Sequence, residues 1–275
     1  MYGETNWSSC RGDSENLKAI TFGGYSDVGM VRNNNQDFFG KFPYDNLDLS
    51  TPKGQLFLVA DGMGGHNSGR DASELAVNIL TYYYFSIPKN SIIESLKQAF
   101  QGTNEHIYHY SKHSPEHEGM GTTCVALVLQ DNHAYIGNIG DSRIYRISKR
   151  KITQLTQDHS KVAEMIRRGI LTKEEAKTHP ERSHLYRALG TKPVAELDVI
   201  DNIELRNNEY FLMCTDGLYN HVSEKEMQRL VVVNEPEVAC KALIDLANKR
   251  GGQDNITLQI IHVTEDDGIM NKFLK

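Results

Sequence analysis

The stretch LFLVADGMGGH, residues 56–66, leads from an apolar run into a carboxylate and then into three closely spaced glycines. Residues 55–60 have the composition of a buried β-strand, and Asp61 follows them directly. An isolated Asp-Gly pair is typical of a tight turn, because glycine tolerates positive φ and aspartate bonds its own backbone. The other interpretation is that the strand holds Asp61 rigidly while the glycines let a ligand approach the backbone. The choice between them depends on whether other carboxylates occur in the same setting.

Further aspartates do occupy this setting, at the end or close to the start of an apolar run: Asp37, Asp141, Asp216 and Asp254. The Asp-Gly pair at 267–268, by contrast, follows no apolar run and is typical of a turn in a tail. If the strand ends converge, carboxylates about 4 to 6 Å apart would repel by about 1 to 4 kcal/mol per pair. One or two hard divalent cations would offset that repulsion, with the carbonyl of Gly62 as an additional candidate ligand. The pattern therefore favours a divalent metal site over a set of unrelated turns.

Composition and charge exclude several classes of protein. The chain has 275 residues, 39% of them hydrophobic and 24% charged, which is typical of a globular protein. Its net charge of −6 includes no long basic block, so we expect no nucleic-acid partner. The aliphatic run 124–129 is too short to span a membrane, and residues 1–18 lack the apolar core of a signal peptide. We therefore expect a cytoplasmic protein without membrane contact, and its four widely spaced cysteines indicate reduced thiols.

Hydrophobic periodicity predicts an α+β fold. Strand-like runs cover 19–25, 55–60, 121–129, 133–139, 142–147, 209–215 and 255–263. Helical spacing begins after Ser68 and Ser91, and shorter or later helices are predicted at 162–168, 172–175, 223–226 and 237–252. For the first helix the predicted apolar stripe is Ala72, Leu75, Ala76, Ile79 and Tyr83. Because runs of strands alternate with pairs of helices, rather than strand by strand with single helices, we expect antiparallel sheets.

The same patterns divide the chain into three parts. We expect residues 1–17 to form a flexible N-terminal extension, residues 18–264 to form one folded domain, and residues 265–275 to form a C-terminal tail. The segment at about 158–189 is charged and poor in large apolar residues, which is typical of a mobile, substrate-facing flap.

Seven groups of short motifs, taken together and in their order, resemble a known family. They are SDVGMVRNNNQDFF, FLVADGMGGH, GTT, IGNIGDSRIYRI, DHS with THPERSHLYRALG, FLMCTDGL and GGQDNIT, and they cover roughly residues 18–264. The set resembles the type 2C metal-dependent Ser/Thr protein phosphatases, above all their compact bacterial branch. The resemblance implies a central sandwich of two antiparallel β-sheets flanked by helices on both sides, with a mobile flap and a Mn²⁺ or Mg²⁺ pair at one end.

The resemblance also implies roles for individual residues. Asp61 would bridge two tightly bound ions, and Asp37 would act on them directly or through water. The other implied ligands of the pair are the carbonyl of Gly62 and the carboxylates of Asp216 and Asp254. Asp141, with Asp216 shared, matches the position of a third, weaker ion in bacterial relatives. Such a metal pair lowers the pKa of a water molecule, which then attacks phosphorus in line with the departing serine or threonine oxygen.

Arg32 matches the phosphate-binding arginine of the family, and its planar fork can hold two oxygens at once. Taken alone, it would be interpreted as a solvated surface arginine. Met63 stands where many eukaryotic members carry a proposed proton-donating histidine, and it cannot donate a proton. His66, three residues on, has three interpretations: a proton donor, a residue behind the ligands, or a polar residue near a helix start, which we favour. Gln36 stands where glutamate is common, so we expect a weaker ion partner there.

Other signals favour simpler interpretations. His106, His109 and His113 share one flank of a helix, with His117 close by, so a zinc site is one interpretation. We favour a half-exposed helix flank, because no cysteine or close carboxylate completes a tetrahedral set. No cysteine begins a C-x5-R motif, which excludes a cysteine phosphatase. The sequence also has no Walker motif, which excludes a P-loop kinase.

The sequence thus predicts an enzyme that hydrolyses phosphoserine and phosphothreonine in proteins and reverses Ser/Thr kinase signalling. The alternative is a catalytically weak module that binds phosphoproteins on the same fold. The full set of five aspartates favours the enzyme, because a module without turnover would be free to lose one of them. We expect phosphoprotein substrates, a cognate Ser/Thr kinase among the partners, and a monomer.

Overall fold

The strand that carries Asp61 lies inside one of two β-sheets in the computed structural model, which describes residues 18–44, 47–65, 68–88 and 91–265. Its own sheet is antiparallel throughout, in the order β2-β3-β5-β6-β9, with the short β4 paired to β3. The strands of this sheet are β2 (Asp37–Phe42), β3 (Gln55–Met63), β4 (Gly121–Thr122), β5 (Cys124–Gln130), β6 (His133–Ile139) and β9 (Asp198–Glu204).

The second sheet is also antiparallel and has the order β1-β11-β10-β7-β8. Its strands are β1 (Lys18–Asp27), β7 (Arg143–Ile147), β8 (Ile152–Gln154), β10 (Glu209–Cys214) and β11 (Ile256–Glu265). The helices are α1 (Ser68–Ser86), α2 (Ile92–His113), α3 (Lys161–Arg167), α4 (Lys173–Lys177), α5 (Asp216–Tyr219), α6 (Glu224–Val233) and α7 (Pro236–Lys249). The short segment Pro115–His117 is a 3-10 helix.

Strand β3 explains why the sheets stack as a sandwich. Successive side chains of a strand point to opposite faces. Leu56 and Leu58 pack with residues of α1 and α2, whereas Phe57 and Val59 pack against apolar residues of the second sheet. Both faces of β3 are therefore buried, which accounts for its uninterrupted apolar run. A third cluster lies between the second sheet and helices α5 to α7, so the layers are helix, sheet, sheet and helix, and the predicted fold class is confirmed.

The sequence predicted most elements, with informative differences. Strand β3 does not end at Ala60 but continues through Asp61 to Met63, and the run 121–129 is divided at Thr123 into β4 and β5. Two strands were not predicted: β8 has only three residues, and β9 is a half-exposed strand without an apolar run. Asp216 begins the short helix α5, which was not predicted.

The predicted stripe on α1 is wrong in part. Ala72 and Ala76 are fully buried as expected, but the stripe continues through Leu80 and Tyr84, while Tyr83 is only half-buried. The helix is apolar over much of its circumference near its end, so its sequence alone defines the buried face poorly. The helix starts predicted at 172–175 and 223–226 both form, each with a full capping box at Thr172 or Ser223.

The flap segment, residues 158–189, contains α3 and α4. Its base is attached to the first sheet by a pair of backbone hydrogen bonds between Thr122 and Leu189. Arg167, which the sequence presents as a surface charge, bonds the carbonyl of Asp158, the carboxylate of Glu164 and the hydroxyl of Tyr186. It therefore holds the flap together, whereas Arg168 is mostly exposed.

In the ranges that the structure describes, no helix is long and apolar enough to cross a membrane. The predicted extension at 1–17 and the turn at 267–268 lie outside those ranges.

Candidate active site

Five predicted carboxylates come from five different places in the chain and meet at one end of the sandwich. Asp37 and Asp61 are directly opposite each other in the register of β2 and β3, where Cα atoms lie about 4.5 to 5.5 Å apart. Asp216 begins α5 directly after β10, and Asp254 lies just before β11. Asp141 lies in the turn between β6 and β7.

The pKa values of these carboxylates are shifted by burial and by one another. Burial raises the pKa of Asp61 well above its usual range, and the charges of Asp37, Asp216, Asp141 and Asp254 raise it further. Burial likewise raises the pKa of Asp37 to about 7, of Asp141 to about 8 and of Asp216 to about 6, and neighbouring aspartates add to each rise. Four of the five carboxylates are therefore desolvated, and together the five form a concentration of acidic groups.

Three of the carboxylates already accept hydrogen bonds from protein donors. The Thr215 hydroxyl donates to Asp37 Oδ2 over 2.8 Å, and the Asn220 amide donates to Asp216 Oδ2 over 3.2 Å. The guanidinium of Arg32 donates to Asp254 Oδ2 over 2.8 Å. Arg32 therefore lies at the carboxylates, and its side chain remains half exposed.

The donor set fits a hard divalent cation in its chemistry. All five side chains are oxygen donors, burial raises the pKa of Asp37, Asp61, Asp141 and Asp216, and the repulsion among the five is what a cation of charge +2 would offset. Within the described residues, no three ligating side chains yet have the mutual spacing of a formed metal site. The contacts from Arg32 and Thr215 show that two of the carboxylates are engaged by protein donors instead.

Gly62 has a packing role in addition to the access that the sequence suggested. A Cβ atom there would lie 1.9 Å from the carbonyl oxygen of Gly69 and 2.7 Å from that of Gln36. The N–H of Gly62 donates to the Gln36 carbonyl over 3.0 Å. Only glycine at position 62 lets the first turn of α1 pack directly on the strand that carries Asp61. Gln36 thus contributes through its backbone, a role that the sequence did not predict.

Thr123 positions Asp61, and sequence reasoning assigned it no role. Its hydroxyl accepts the backbone N–H of Asp61 over 2.9 Å, and its own N–H donates to the Asp61 carbonyl over 2.9 Å. The same hydroxyl lies 2.7 Å from the Ser142 hydroxyl, next to Asp141. The GTT motif contained this residue, but a threonine between two strands carries no signal of its own.

Arg143 organises the turn behind Asp141. Its guanidinium forms a forked ion pair with Asp158, the closest contact being 2.6 Å, and lies 3.5 Å above the ring of Tyr219. The Tyr219 hydroxyl donates to the Asp141 carbonyl over 3.1 Å. This stack connects the base of the flap to both Asp141 and the helix that Asp216 begins.

His159 connects the same turn to the far end of the flap. The N–H of Gly140 donates to His159 Nδ1 over 3.1 Å, so Nε2 carries the ring proton and donates to Asp198 over 3.0 Å. Asp198 also accepts from Arg187 over 3.0 Å. Burial lowers the pKa of His159, which keeps the ring neutral and Nδ1 able to accept.

Two of the remaining candidate residues lie near the site without a reactive group, and the third lies outside the described ranges. His66 lies outside them. Met63 ends β3 and carries no proton to donate. Cys214, beside Thr215, is buried, and burial raises its pKa to about 12, so it stays a protonated thiol.

The histidines of α2 lie apart from the carboxylates. A cavity of about 390 Å³ is lined by His106, His109 and His113 together with Tyr83, Gly102, Glu105 and Tyr110, and among the described residues no three of the His, Cys, Asp and Glu side chains have the spacing of a metal site. His113 Nδ1 lies 2.7 Å from the carbonyl of His109, and His117 turns away to Asp71, at 2.9 Å. These contacts fit the helix-flank interpretation.

Comparison with known proteins places the chain in a family. The profile described as Protein phosphatase 2C matches residues 32–246. The serine/threonine phosphatase stp of Listeria monocytogenes serotype 4b is 36% identical over 242 residues, which cover 86% of this chain and 93% of the relative. The chain belongs to the protein phosphatase 2C family. This membership makes it a protein serine/threonine phosphatase of the bacterial type.

Solved structures agree with this assignment. The crystal structure of the serine/threonine phosphatase Stp1 from Staphylococcus aureus has a TM-score of 0.80 and 32% identity, covering 90% of this chain and 96% of that one. The catalytic domain of the serine threonine protein phosphatase PstP, solved in complex with two manganese ions, has a TM-score of 0.76 and 30% identity, covering 90% and 100% of the two chains.

Proposed function

We propose that this protein hydrolyses phosphoserine and phosphothreonine in proteins with the help of two tightly bound divalent cations, Mn²⁺ or Mg²⁺. The observation that carries the proposal is the group of carboxylates around Asp61. Burial raises the pKa of Asp61, and the charge of each neighbouring carboxylate raises it further. The ligands of the pair would be Asp37, Asp61, Asp216, Asp254 and the Gly62 carbonyl. When bound, such a pair supplies a water activated near neutral pH and offsets the charge of the phosphate. The manganese complex of the PstP domain supports this choice of ion.

The protein's own residues would hold the reacting groups in place. The Thr215 hydroxyl donates to Asp37, while the Thr123 hydroxyl accepts the Asp61 N–H and the Thr123 N–H donates to the Asp61 carbonyl, which holds Asp61 near the end of its strand. Gly62 keeps α1 close to this strand. These contacts hold the backbone beneath the carboxylates in place, so the adjustment that a cation requires would be made by the carboxylate side chains.

Arg32 is proposed to bind the phosphate oxygens. Its guanidinium has five donors, and only one contact with Asp254 is made here, so donors remain for a second anion. The hydrogen bond to Asp254, together with the charges of Asp254, Asp61 and Asp216, raises the pKa of Arg32, which supports a role for Arg32 at this group of carboxylates. Binding of phosphate would divide this fork between Asp254 and the substrate.

Asp141, with Asp216, is proposed to hold a third and weaker ion. The charge of Asp216 raises the pKa of Asp141, so the two carboxylates share one electrostatic environment. The flap, the cognate kinase among the partners, the monomeric state and the cytoplasmic location stay predictions from the sequence, as do the boundaries at 17 and 264.

One assay separates turnover from binding alone. We expect hydrolysis of p-nitrophenyl phosphate that depends on Mn²⁺ and stops on addition of a chelator. Absence of hydrolysis at saturating Mn²⁺, with binding of a phosphoprotein retained, would favour the alternative of a phosphoprotein-binding module.

Arg32→Ala tests the phosphate site. It should lower kcat/KM by about 10- to 1,000-fold, since a charged hydrogen-bonding partner of the phosphate is lost, while Mn²⁺ binding and the Tm persist. Arg32→Lys should restore only part of the activity, because an ammonium cannot bind two oxygens in one plane. Wild-type kcat/KM in Arg32→Ala would contradict the assignment.

A further inference from the structure

The loop before Arg32 exposes two large apolar side chains beside the proposed phosphate site. Met30 is 68% exposed and Val31 is 64% exposed. They immediately precede Arg32, whose guanidinium bonds Asp254. Single exposed apolar residues are common on protein surfaces, but two in succession next to a charged site form a small apolar platform. We call Met30 and Val31 the apolar platform.

The backbone beneath the apolar platform is held firmly. The N–H of Met30 donates to the carbonyl of Gly252 over 2.8 Å. Gly29 has φ of +80°, and a Cβ atom there would lie 2.2 Å from the carbonyl oxygen of Asp254. The loop therefore packs directly on the segment that carries Asp254, in a conformation that glycine permits and other residues avoid.

A buried amide fastens the loop on both sides. The side-chain N–H₂ of Asn255 donates to the carbonyl of Val28 over 2.9 Å and to that of Asn34 over 3.0 Å. Its carbonyl oxygen accepts the N–H of Gln36 over 2.8 Å. Asn255 itself is 4% exposed. One side chain thus holds the loop at both ends next to β2, so the exposed apolar pair is presented on a rigid support rather than on a loose turn.

We propose that the apolar platform contacts an apolar side chain next to the phosphorylated residue of the substrate protein, and that it selects for such substrates. The inference rests on the proposed function, in which Arg32 binds the phosphate. Each residue of an extended substrate adds about 3.3 to 3.6 Å to the length of its chain. With the phosphate at Arg32, a residue next to the phosphorylated one would therefore reach Met30 or Val31. Apolar contact there removes the exposed surfaces of Met30 and Val31 from water.

Matched phosphothreonine peptides test the specificity. One set carries leucine or valine next to the phosphothreonine, and the other carries serine or glutamine at the same positions. The wild-type protein should favour the apolar set by about 3- to 30-fold in kcat/KM, as expected for partial burial of one aliphatic side chain. Equal kcat/KM for the two sets would overturn the proposal.

Variants connect this preference to the apolar platform. The double variant Met30→Gln/Val31→Thr should reduce the preference to less than about threefold. It should hydrolyse p-nitrophenyl phosphate at the wild-type rate, because that substrate has no flanking residues. Val233→Thr, which changes a side chain that is 69% exposed on α6, is the control and should keep the full preference.

The outcomes distinguish this inference from the proposed function. If wild type and variants all fail to hydrolyse p-nitrophenyl phosphate with Mn²⁺, the proposed function is wrong. If they hydrolyse it equally and the double variant keeps the peptide preference, only the apolar platform is wrong. If wild-type protein self-associates in sedimentation and the double variant does not, with no peptide preference in either, the platform covers a second copy of the chain and the proposal is overturned.

Discussion

Replacing Asp37 with asparagine should stabilise the chelated protein while it weakens metal binding. Asp37 is 5% exposed, and burial together with the charges of Asp216 and Asp254 raises its pKa from 3.8 to about 7. Above that pH the folded protein holds a desolvated charge that the unfolded chain hydrates freely. Asp37→Asn removes the charge and keeps an oxygen to accept the bond from the Thr215 hydroxyl.

The pKa gives the sign and the size of the effect. Because the folded-state pKa lies above the unfolded-state value, stability is fully present below about pH 4, falls as the pH rises, and reaches its lower level above about pH 7. A pKa that is higher by about three in the folded protein corresponds to about 4 kcal/mol in the free energy of unfolding. Because neighbouring aspartates share this repulsion, we expect Asp37→Asn to gain about 2 to 4 kcal/mol at pH 8, or about 4 to 16 °C in Tm.

Thermal unfolding measures the prediction directly. Wild type and Asp37→Asn are compared in chelator at pH 5 and pH 8, and again at pH 8 with excess Mn²⁺. Asp37→Asn should unfold at a higher temperature than wild type in chelator at pH 8, with a smaller difference at pH 5 and a smaller gain from Mn²⁺. Asp245→Asn, on an exposed position of α7, is the control and should change little. A lower Tm for Asp37→Asn in chelator at pH 8 would refute the reasoning.

Three further predictions follow from the site and the flap. Asp61→Ala should lose most of its activity, and calorimetry should show that it has lost both tight Mn²⁺ sites. Asp141→Ala should still bind two ions but hydrolyse substrate about 10- to 1,000-fold more slowly. Full activity of Asp141→Ala would contradict the third site. His159→Leu keeps neither the acceptor for the Gly140 N–H nor the donor to Asp198, so limited proteolysis within the flap should be about 10-fold faster, and unchanged cleavage would contradict the role given to this residue. Neutralising Arg168 and Lys173 together should lower phosphoprotein hydrolysis about 3- to 10-fold with little effect on aryl phosphate, and equal losses on both substrates would argue against a protein-reading flap.

Local patterns determined the elements that have strong periodicity or definite end signals. The buried strands β3 and β6 and the helix beginning after Ser91 were predicted from a few neighbouring residues. Strand β9 was not predicted, because a half-exposed strand carries no continuous apolar run. The buried face of α1 was partly wrong, since which side of an apolar helix meets the sheet depends on the sheet.

The sequence by itself also determined the chemistry of the site: carboxylates beside apolar strands, an arginine before them, and a family resemblance that named the reaction. Only the tertiary structure decided that β2 and β3 pair in the register that sets Asp37 opposite Asp61, and that Arg32 meets Asp254 across 222 positions of chain. It alone placed Thr123 on the backbone of Asp61, and the loop of Met30 and Val31 on the segment before β11. The physical reason is that strand register and side-chain contacts are non-local. They depend on how the two buried faces of β3 pack, one against the helices and the other against the second sheet, and no short stretch of sequence contains that information.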